Sequence, residues 1–225
     1  MGALRLHRAR ERVRPLVPHR LRRRVNRIVF AGVGVALAGS AVHCPCCGRS
    51  YRRFVSYPTK YCPGCGSYAR QRLLCLYLDA SPELVQGDVL HVGPERSIME
   101  RYRPQAGSWA AVDLDPDHPL ADRTMDVTDL SLADASFDLV LCSYVLDIVQ
   151  AHDRAVAELH RVTRPGGRLI VQAPWRSVDG APDVYARRLE RPGFRVTPVL
   201  LDEQRDSATR RHYGLDGDPM FVCLR

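Results

Sequence analysis

Two phrases hold the densest chemistry in this chain, CPCCG at residues 44–48 and CPGCG at 62–66. Both fit Cys-Pro-x-Cys-Gly, in which two thiolates leave one tight turn and the glycine lets backbone amides point back at sulfur. Two such turns, 14 residues apart, can place Cys44, Cys47, Cys62 and Cys65 around one tetrahedral Zn(II). Four thiolates leave no open position for water, so the role expected of the metal is structural. It would supply folding energy that so small a module cannot draw from apolar burial. Cys46, inside the first turn, reads as a bystander that could replace a ligand. The neighbouring Arg49, Tyr51, Arg52, Arg53, Phe54 and Tyr57 have two readings: a docking surface, or a nucleic-acid surface with arginines on phosphate and aromatics on bases.

A second set of candidates stands at the ends of short apolar runs. From residue 87 the pattern alternates strands with helical stretches, the signature of a parallel-sheet α/β domain. Seven strands are expected: 88–92, 108–113, 123–127, 137–144, 167–174, 194–201 and 220–225. Ligands of open parallel sheets bind beyond the carboxyl ends of the strands, near the point where strand order reverses. Those ends carry Gly93, Pro94 and Glu95, then Asp113, then Asp126 and Val127, then Ser143 and Tyr144. An acidic residue closing the second strand can hold both hydroxyls of a ribose. A carboxylate and a backbone amide after the third can read an adenine edge.

The elements that must position these groups follow from periodicity. The helix expected at 151–164 carries Ala155, Val156, Leu159 and Val162 on one face and is expected to stop at Pro165-Gly166-Gly167. A linking helix at 67–79 is expected to start from Ser67 as N-cap. Residues 28–42 form an apolar run of about 15 residues, shorter than the ~20 needed to cross a bilayer. It reads as a helix packed on the protein, with a membrane-surface helix and a signal or anchor as alternatives. No stable membrane insertion is expected.

Charge divides the chain. Residues 1–80 hold 16 basic and 2 acidic side chains, a local net of +14, and the remainder sits near −6. The proline-punctuated stretch 1–27 is either a solvated arm or a contact for phosphate or acidic lipid, so RNA is a candidate partner through this basic part. With 45% hydrophobic and 26% charged residues the chain falls in the soluble globular class. Clustered cysteines in C-x-x-C pairs point to metal in a reducing, cytoplasmic setting rather than to disulfides. Three parts are expected: a basic arm and apolar helix at 1–42, a zinc ribbon with its linking helix at 43–80, and an α/β domain at 81–225.

The stretches VLHVGPE, AVDLDP, MDVTDLSLADASFDLVLCSYVLDIV and ELHRVTRPGGRLIVQAP resemble the class I S-adenosylmethionine-dependent methyltransferases, in their type 11 form. Paired C-P-x-C-G turns, an R-x-R-L-L helix and a first motif L-H-V-G-P-E are together similar to a bacterial subgroup in which that loop is poor in glycine. The resemblance implies a Rossmann-like seven-stranded methyltransferase sheet, S-adenosylmethionine as cofactor and an unidentified methyl acceptor, either a small metabolite or RNA. It implies that Gly93 and Glu95 line the methionine end, Asp113 and Leu114 the ribose side, and Asp126 and Val127 the adenine, with Ser143 and Tyr144 beside them. The family's L-E-H after the fourth strand is Leu146-Asp147-Ile148 here, so a histidine's role has no carrier at 148. The alternative is a non-enzymatic zinc-ribbon protein that keeps the fold without the chemistry.

Asp147, His212 and Tyr213 are the candidates for removing a proton from an acceptor. Asp147 reads equally as a carboxylate at a helix start, and Arg-Arg-His-Tyr-Gly at 210–214 equally as a turn. His91, inside the first strand, reads as a packed core histidine, and His160 as an exposed helix residue.

Overall fold

A computed structural model describes residues 32–56, 60–174, 182–200, 206–215 and 218–225. The basic arm at 1–27 and Tyr57 lie outside these residues. Strand β1 (Ala38–Cys44) pairs antiparallel with β2 (Arg49–Tyr51) across the first cysteine turn, and β3 (Val55–Ser56) pairs with β4 (Lys60–Tyr61) just before the second. Among its described residues the apolar run expected as one helix is helical at 32–36 and becomes a strand at Ala38. Small residues permit this: a Cβ on Gly39 would meet the Arg52 backbone nitrogen at 2.9 Å.

Helix α1 (Ala69–Ala80) follows Cys65, the fourth candidate ligand. Its N-cap is Tyr68 rather than Ser67, and the Tyr68 amide donates to Gln71 Oε1 at 2.6 Å. Ser67 is buried with its hydroxyl 3.3 Å from Cys44 Sγ and 3.2 Å from Cys65 Sγ, so that side chain serves the cysteine cluster instead of the helix.

The remaining chain runs β5 (Asp88–Val92), α2 (Arg96–Tyr102), β6 (Ser108–Asp113), β7 (Arg123–Thr124), β8 (Phe137–Ser143), α3 (His152–Val162), β9 (Thr163–Gln172), α4 (Pro182–Glu190), β10 (Arg195–Val199), α5 (Ser207–Tyr213) and β11 (Met220–Leu224). One seven-stranded sheet results, in the order β10-β11-β9-β8-β5-β6-β7, with β11 antiparallel to both neighbours. From β5 the chain moves outward to β6 on one side and returns to β8 on the other. The strand order thus reverses at β5, and the crevice beyond its carboxyl end is where such sheets take ligands.

Several expected boundaries moved. Helix α3 ends at Val162, where Thr163 turns extended and its hydroxyl donates to the Leu159 carbonyl at 2.6 Å. Pro165-Gly166-Gly167 then forms a bulge within strand β9 against β8 instead of capping the helix. Gly167 is required there, because a Cβ would meet backbone oxygens of Arg164, Asp138 and Phe137 at 2.9–3.1 Å. The third strand stops at Thr124, since Asp126 draws the Thr128 amide and hydroxyl to its Oδ1, both at 2.8 Å, and turns the chain.

Strand alternation sends Leu90, Val140, Cys142, Leu169 and Val171 to one face, under α3 and α4. Val89, Leu139, Leu141 and Ile170 face the other way and share a single cluster with Leu74 and Leu78 of α1 and with Cys44, Tyr51, Phe54 and Cys62 of the ribbon. Cysteine module and sheet therefore meet in one core. No helix among the described residues is long and apolar enough to cross a membrane.

Candidate functional site

The sulfurs of Cys44, Cys47, Cys62 and Cys65 all lie within 4.8 Å of one another and could hold a metal ion. Cys44 to Cys65 and Cys47 to Cys62 are both 3.8 Å. A tetrahedron with metal–sulfur bonds of about 2.3 Å has edges of roughly 3.8 Å, so the spacing suits such an ion. Hydrogen bonds from neighbouring thiols, Cys46 foremost, hold the Cys44 thiol well below its ordinary range. Hydrogen bonding to Cys44 in turn pushes Cys62 and Cys65 up. At this separation all four could be ionised together only with a cation among them. Cys46 turns to Cys75 of α1, sulfur to sulfur at 3.2 Å.

At the strand ends, Gly93 has φ +66 and a Cβ there would meet Val145 Cγ2 at 2.6 Å. Glycine is needed both for the turn and for the close approach of the loop after β8. The Gly93 amide donates to the Val112 carbonyl at 3.0 Å, which ties the loop to the end of β6. Glu95 is the N-cap residue of α2, but its side chain makes no capping hydrogen bond. Its Oε1 accepts from Arg70 Nε at 3.0 Å and Gln71 Nε2 at 2.9 Å, while Oε2 is buried without a partner. Burial pushes the Glu95 carboxyl up, against the charge and hydrogen bonds of Arg70 and Gln71.

Asp113 closes β6 half-buried, with Oδ1 accepting from the Asp115 amide at 2.9 Å. Leu114 beside it is 68% exposed, an apolar side chain available to a ligand's flat face. Asp126 is exposed and held below the ordinary carboxylate range, first by the Thr128 amide. Val127 is buried. The Ser143 hydroxyl donates to Gln172 Oε1 at 2.9 Å. Tyr144 sits at φ 59, uncommon for a residue with a side chain, and its hydroxyl donates to Asp218.

The structure thus gathers Gly93, Glu95, Asp113 with Leu114, Asp126 with Val127, and Ser143 with Tyr144 at the carboxyl ends of β5, β6, β7 and β8. Asp147 follows half-buried in the loop after β8. His212 and Tyr213 are placed against the ribbon instead: their rings lie 6.2 and 6.1 Å from that of His43 in β1. His91 is wholly buried with its ring edge-on to Trp109, and burial lowers it to about 3. A base must be reachable, so this is a core histidine. His160 is half-buried, stacked edge-on with Phe194 at 4.8 Å, rather than exposed.

Sequence reasoning missed the two arginines of the R-x-R-L-L motif as site residues. Arg70 reaches Glu95, and its guanidinium lies 4.4 Å over the Tyr144 ring. Arg72 is fully buried and donates to three carbonyls: Ser67 at 2.5 Å, Gly214 at 2.6 Å and Tyr213 at 2.7 Å. Their spacing of two, shortly after the second C-P-x-C-G turn, was the available signal.

Residues 63–171 match the family model described as a methyltransferase domain. The demethylmenaquinone methyltransferase of Streptomyces avermitilis is 43% identical over 60 residues, 24% of this chain and 26% of that protein. The ubiquinone/menaquinone biosynthesis C-methyltransferase of Ralstonia pickettii is 33% identical over 78 residues, 33% and 29% of the two chains. The chain thus spans about a quarter of the length of the curated relatives it matches. Among solved structures, an S-adenosylmethionine-dependent methyltransferase from Mesorhizobium loti superposes with a TM-score of 0.51 at 15% identity, covering 67% of this chain and 97% of that one. The methyltransferase domain of the citrinin polyketide synthase gives 0.53 at 10% identity, covering 73% and 54%. These likenesses establish the fold. Sheet order and strand-end residues agree with the family match, which makes residues 63–171 similar to a methyltransferase domain.

Proposed function

We propose that the protein is an S-adenosylmethionine-dependent methyltransferase whose four-cysteine ribbon holds a structural Zn(II). The observation that carries this reading is the convergence of Gly93, Glu95, Asp113 and Asp126 on the crevice where strand order reverses. Glu95 fits an ammonium group, having one buried oxygen without a partner. Asp113 holds the ribose hydroxyls, Leu114 covers the base, and Asp126 with the Val127 amide reads the base edge.

The bound cofactor supplies an electrophilic methyl group on a sulfonium centre. The protein's part is to align the acceptor with it and to exclude water. Ser143 and Tyr144, tied to Gln172 and Asp218, form the wall beside that position. Asp147 takes the proton if the acceptor is a hydroxyl or ring nitrogen. His212 and Tyr213 serve that role only for an acceptor lying along the ribbon. An RNA acceptor is the second reading, favoured by the exposed Arg49, Arg52 and Arg53 of the ribbon and Arg211 of the helix packed on it.

Calorimetric titration of zinc-loaded protein with S-adenosylhomocysteine tests the cofactor assignment. Asp113→Ala should weaken binding on the order of tenfold to a hundredfold, the worth of hydrogen bonds to a charged group. No binding by the folded wild type at millimolar ligand would sink the reading. For RNA, retention that falls steeply with salt supports the contact, and salt-independent retention refutes it.

A further inference from the structure

We propose that Arg70, presented by the helix that follows the metal ribbon, reads the carboxylate at the amino-acid end of the cofactor. This rests on the methyltransferase reading and adds a residue from outside the sheet. An α-amino acid end carries an ammonium and a carboxylate side by side. A lone Glu95 could satisfy only the ammonium and would repel the carboxylate.

The structure sets a cation beside that acid. Arg70 Nη2 is 2.9 Å from Glu95 Oε1, and Nε is 3.0 Å from the same oxygen. This leaves Nη1 without a partner among the described residues and leaves Glu95 Oε2 buried and unpartnered. One open donor edge and one open acceptor stand next to each other, opposite in charge, as a zwitterion requires. The Arg70 side chain is 24% exposed, so its open edge can be reached, whereas Glu95 is 10% exposed.

Three supports hold the guanidinium there. Its face lies on the Tyr144 ring, an arrangement in which the ring quadrupole attracts the cation. That ring is delivered by a strained backbone, φ 59, and anchored by Asp218. Left-handed geometry in a residue with a side chain costs free energy and concentrates at ligand clamps. The Arg70 carbonyl accepts from Gln172 Nε2 at 2.8 Å, and Gln172 also accepts from Ser143, so α1 is tied to the ends of β8 and β9. The ribbon thereby supplies a wall of the cofactor crevice.

The test uses the full zinc-loaded chain and two ligands that differ only at this end: S-adenosylhomocysteine and 5′-methylthioadenosine, which lacks the amino-acid portion. Arg70→Ala should weaken S-adenosylhomocysteine by about tenfold to a hundredfold, the worth of a charge-assisted hydrogen bond, and leave methylthioadenosine within about twofold. Arg70→Lys, which keeps the charge beside Glu95, should restore part of the loss. Unchanged methylthioadenosine affinity also reports that each variant is folded. Equal losses for both ligands, or no loss for either, would overturn the assignment of Arg70 alone. Absence of binding of either ligand by the wild type would overturn the methyltransferase reading with it.

Discussion

Arg72→Lys would replace a planar fork by a single ammonium in the most enclosed polar position of the ribbon. The guanidinium bridges three chain segments: the turn at Ser67, its own helix α1, and the carbonyls of Tyr213 and Gly214 at the end of α5. It also lies 4.2 Å over the Phe54 ring. Lysine is compact and cannot span the fork, so we expect it to reach one of the three carbonyls. Two buried carbonyls then lose their donors, at about 1–3 kcal/mol each, and the ring contact adds roughly 0.5–2 kcal/mol. The expected loss is about 3–5 kcal/mol, in the range found when one member of a buried charged network is removed. Against a total stability of about 5–15 kcal/mol this is large. Urea unfolding of zinc-loaded protein, followed by circular dichroism and fluorescence, measures it, and hydrogen exchange in 207–213 should rise first. A stability within about 1 kcal/mol of wild type would refute the account of Arg72 as the tie between ribbon and C-terminal helix.

Other outcomes follow from the same structure. Cys62→Ser should release the metal and lower the melting temperature by roughly 10 °C or more, given about 2–4 °C per kcal/mol for chains of this size. Cys46→Ser should keep one metal per chain, and metal analysis showing equal loss in both variants would overturn the four-ligand assignment. His91 is held neutral, since burial lowers it from 6.5 to about 3. A lowered histidine is stable in full above the unfolded value, so its contribution is lost as pH falls from 6.5 toward 3, because only the unfolded chain takes up the proton. His91→Leu should flatten that part of the acid unfolding curve. The readout is the difference between variant and wild type, which excludes acid release of the metal common to both, and parallel curves would show that His91 does not titrate on unfolding.

Much of this fold was legible because local pattern and long-range packing agree. Strands β5 and β6 lie at the expected 88–92 and 108–113, and residues 89–92 of the central strand have a sheet neighbour on both sides. Helix α3 was legible because Ala155, Val156, Leu159 and Val162 form one apolar stripe, and all four are fully buried. Local pattern failed where a distant contact overrode it. Pro165-Gly166-Gly167 looks like a helix stop, yet glycine there admits the backbone of β8, a contact the linear chain does not display. The stretch AGSAVHC that ends at Cys44 is dominated by small residues and became a strand by pairing with Arg49–Tyr51. Among site residues, the cysteines and the strand-end acids were readable because their chemistry is local in sequence. Arg70 and Arg72 were not, since their partners lie 25 and more than 140 residues away.

The span from Arg72 to Gly214 has a consequence for synthesis. The ribbon and α1 leave the ribosome early, and at roughly 5–20 residues per second the C-terminal carbonyls follow about 7–28 s later. For the first part of that interval Leu74 and Leu78 wait for Val89, Leu139, Leu141 and Ile170 to cover them, and throughout it Arg72 lacks two of its three carbonyls. A metal ion captured by the nascent cysteine turns would fix the knuckles while this apolar flank waits for its cover. Zinc supply during translation, more than zinc content of the mature protein, is then the quantity that should govern how much of the chain escapes aggregation.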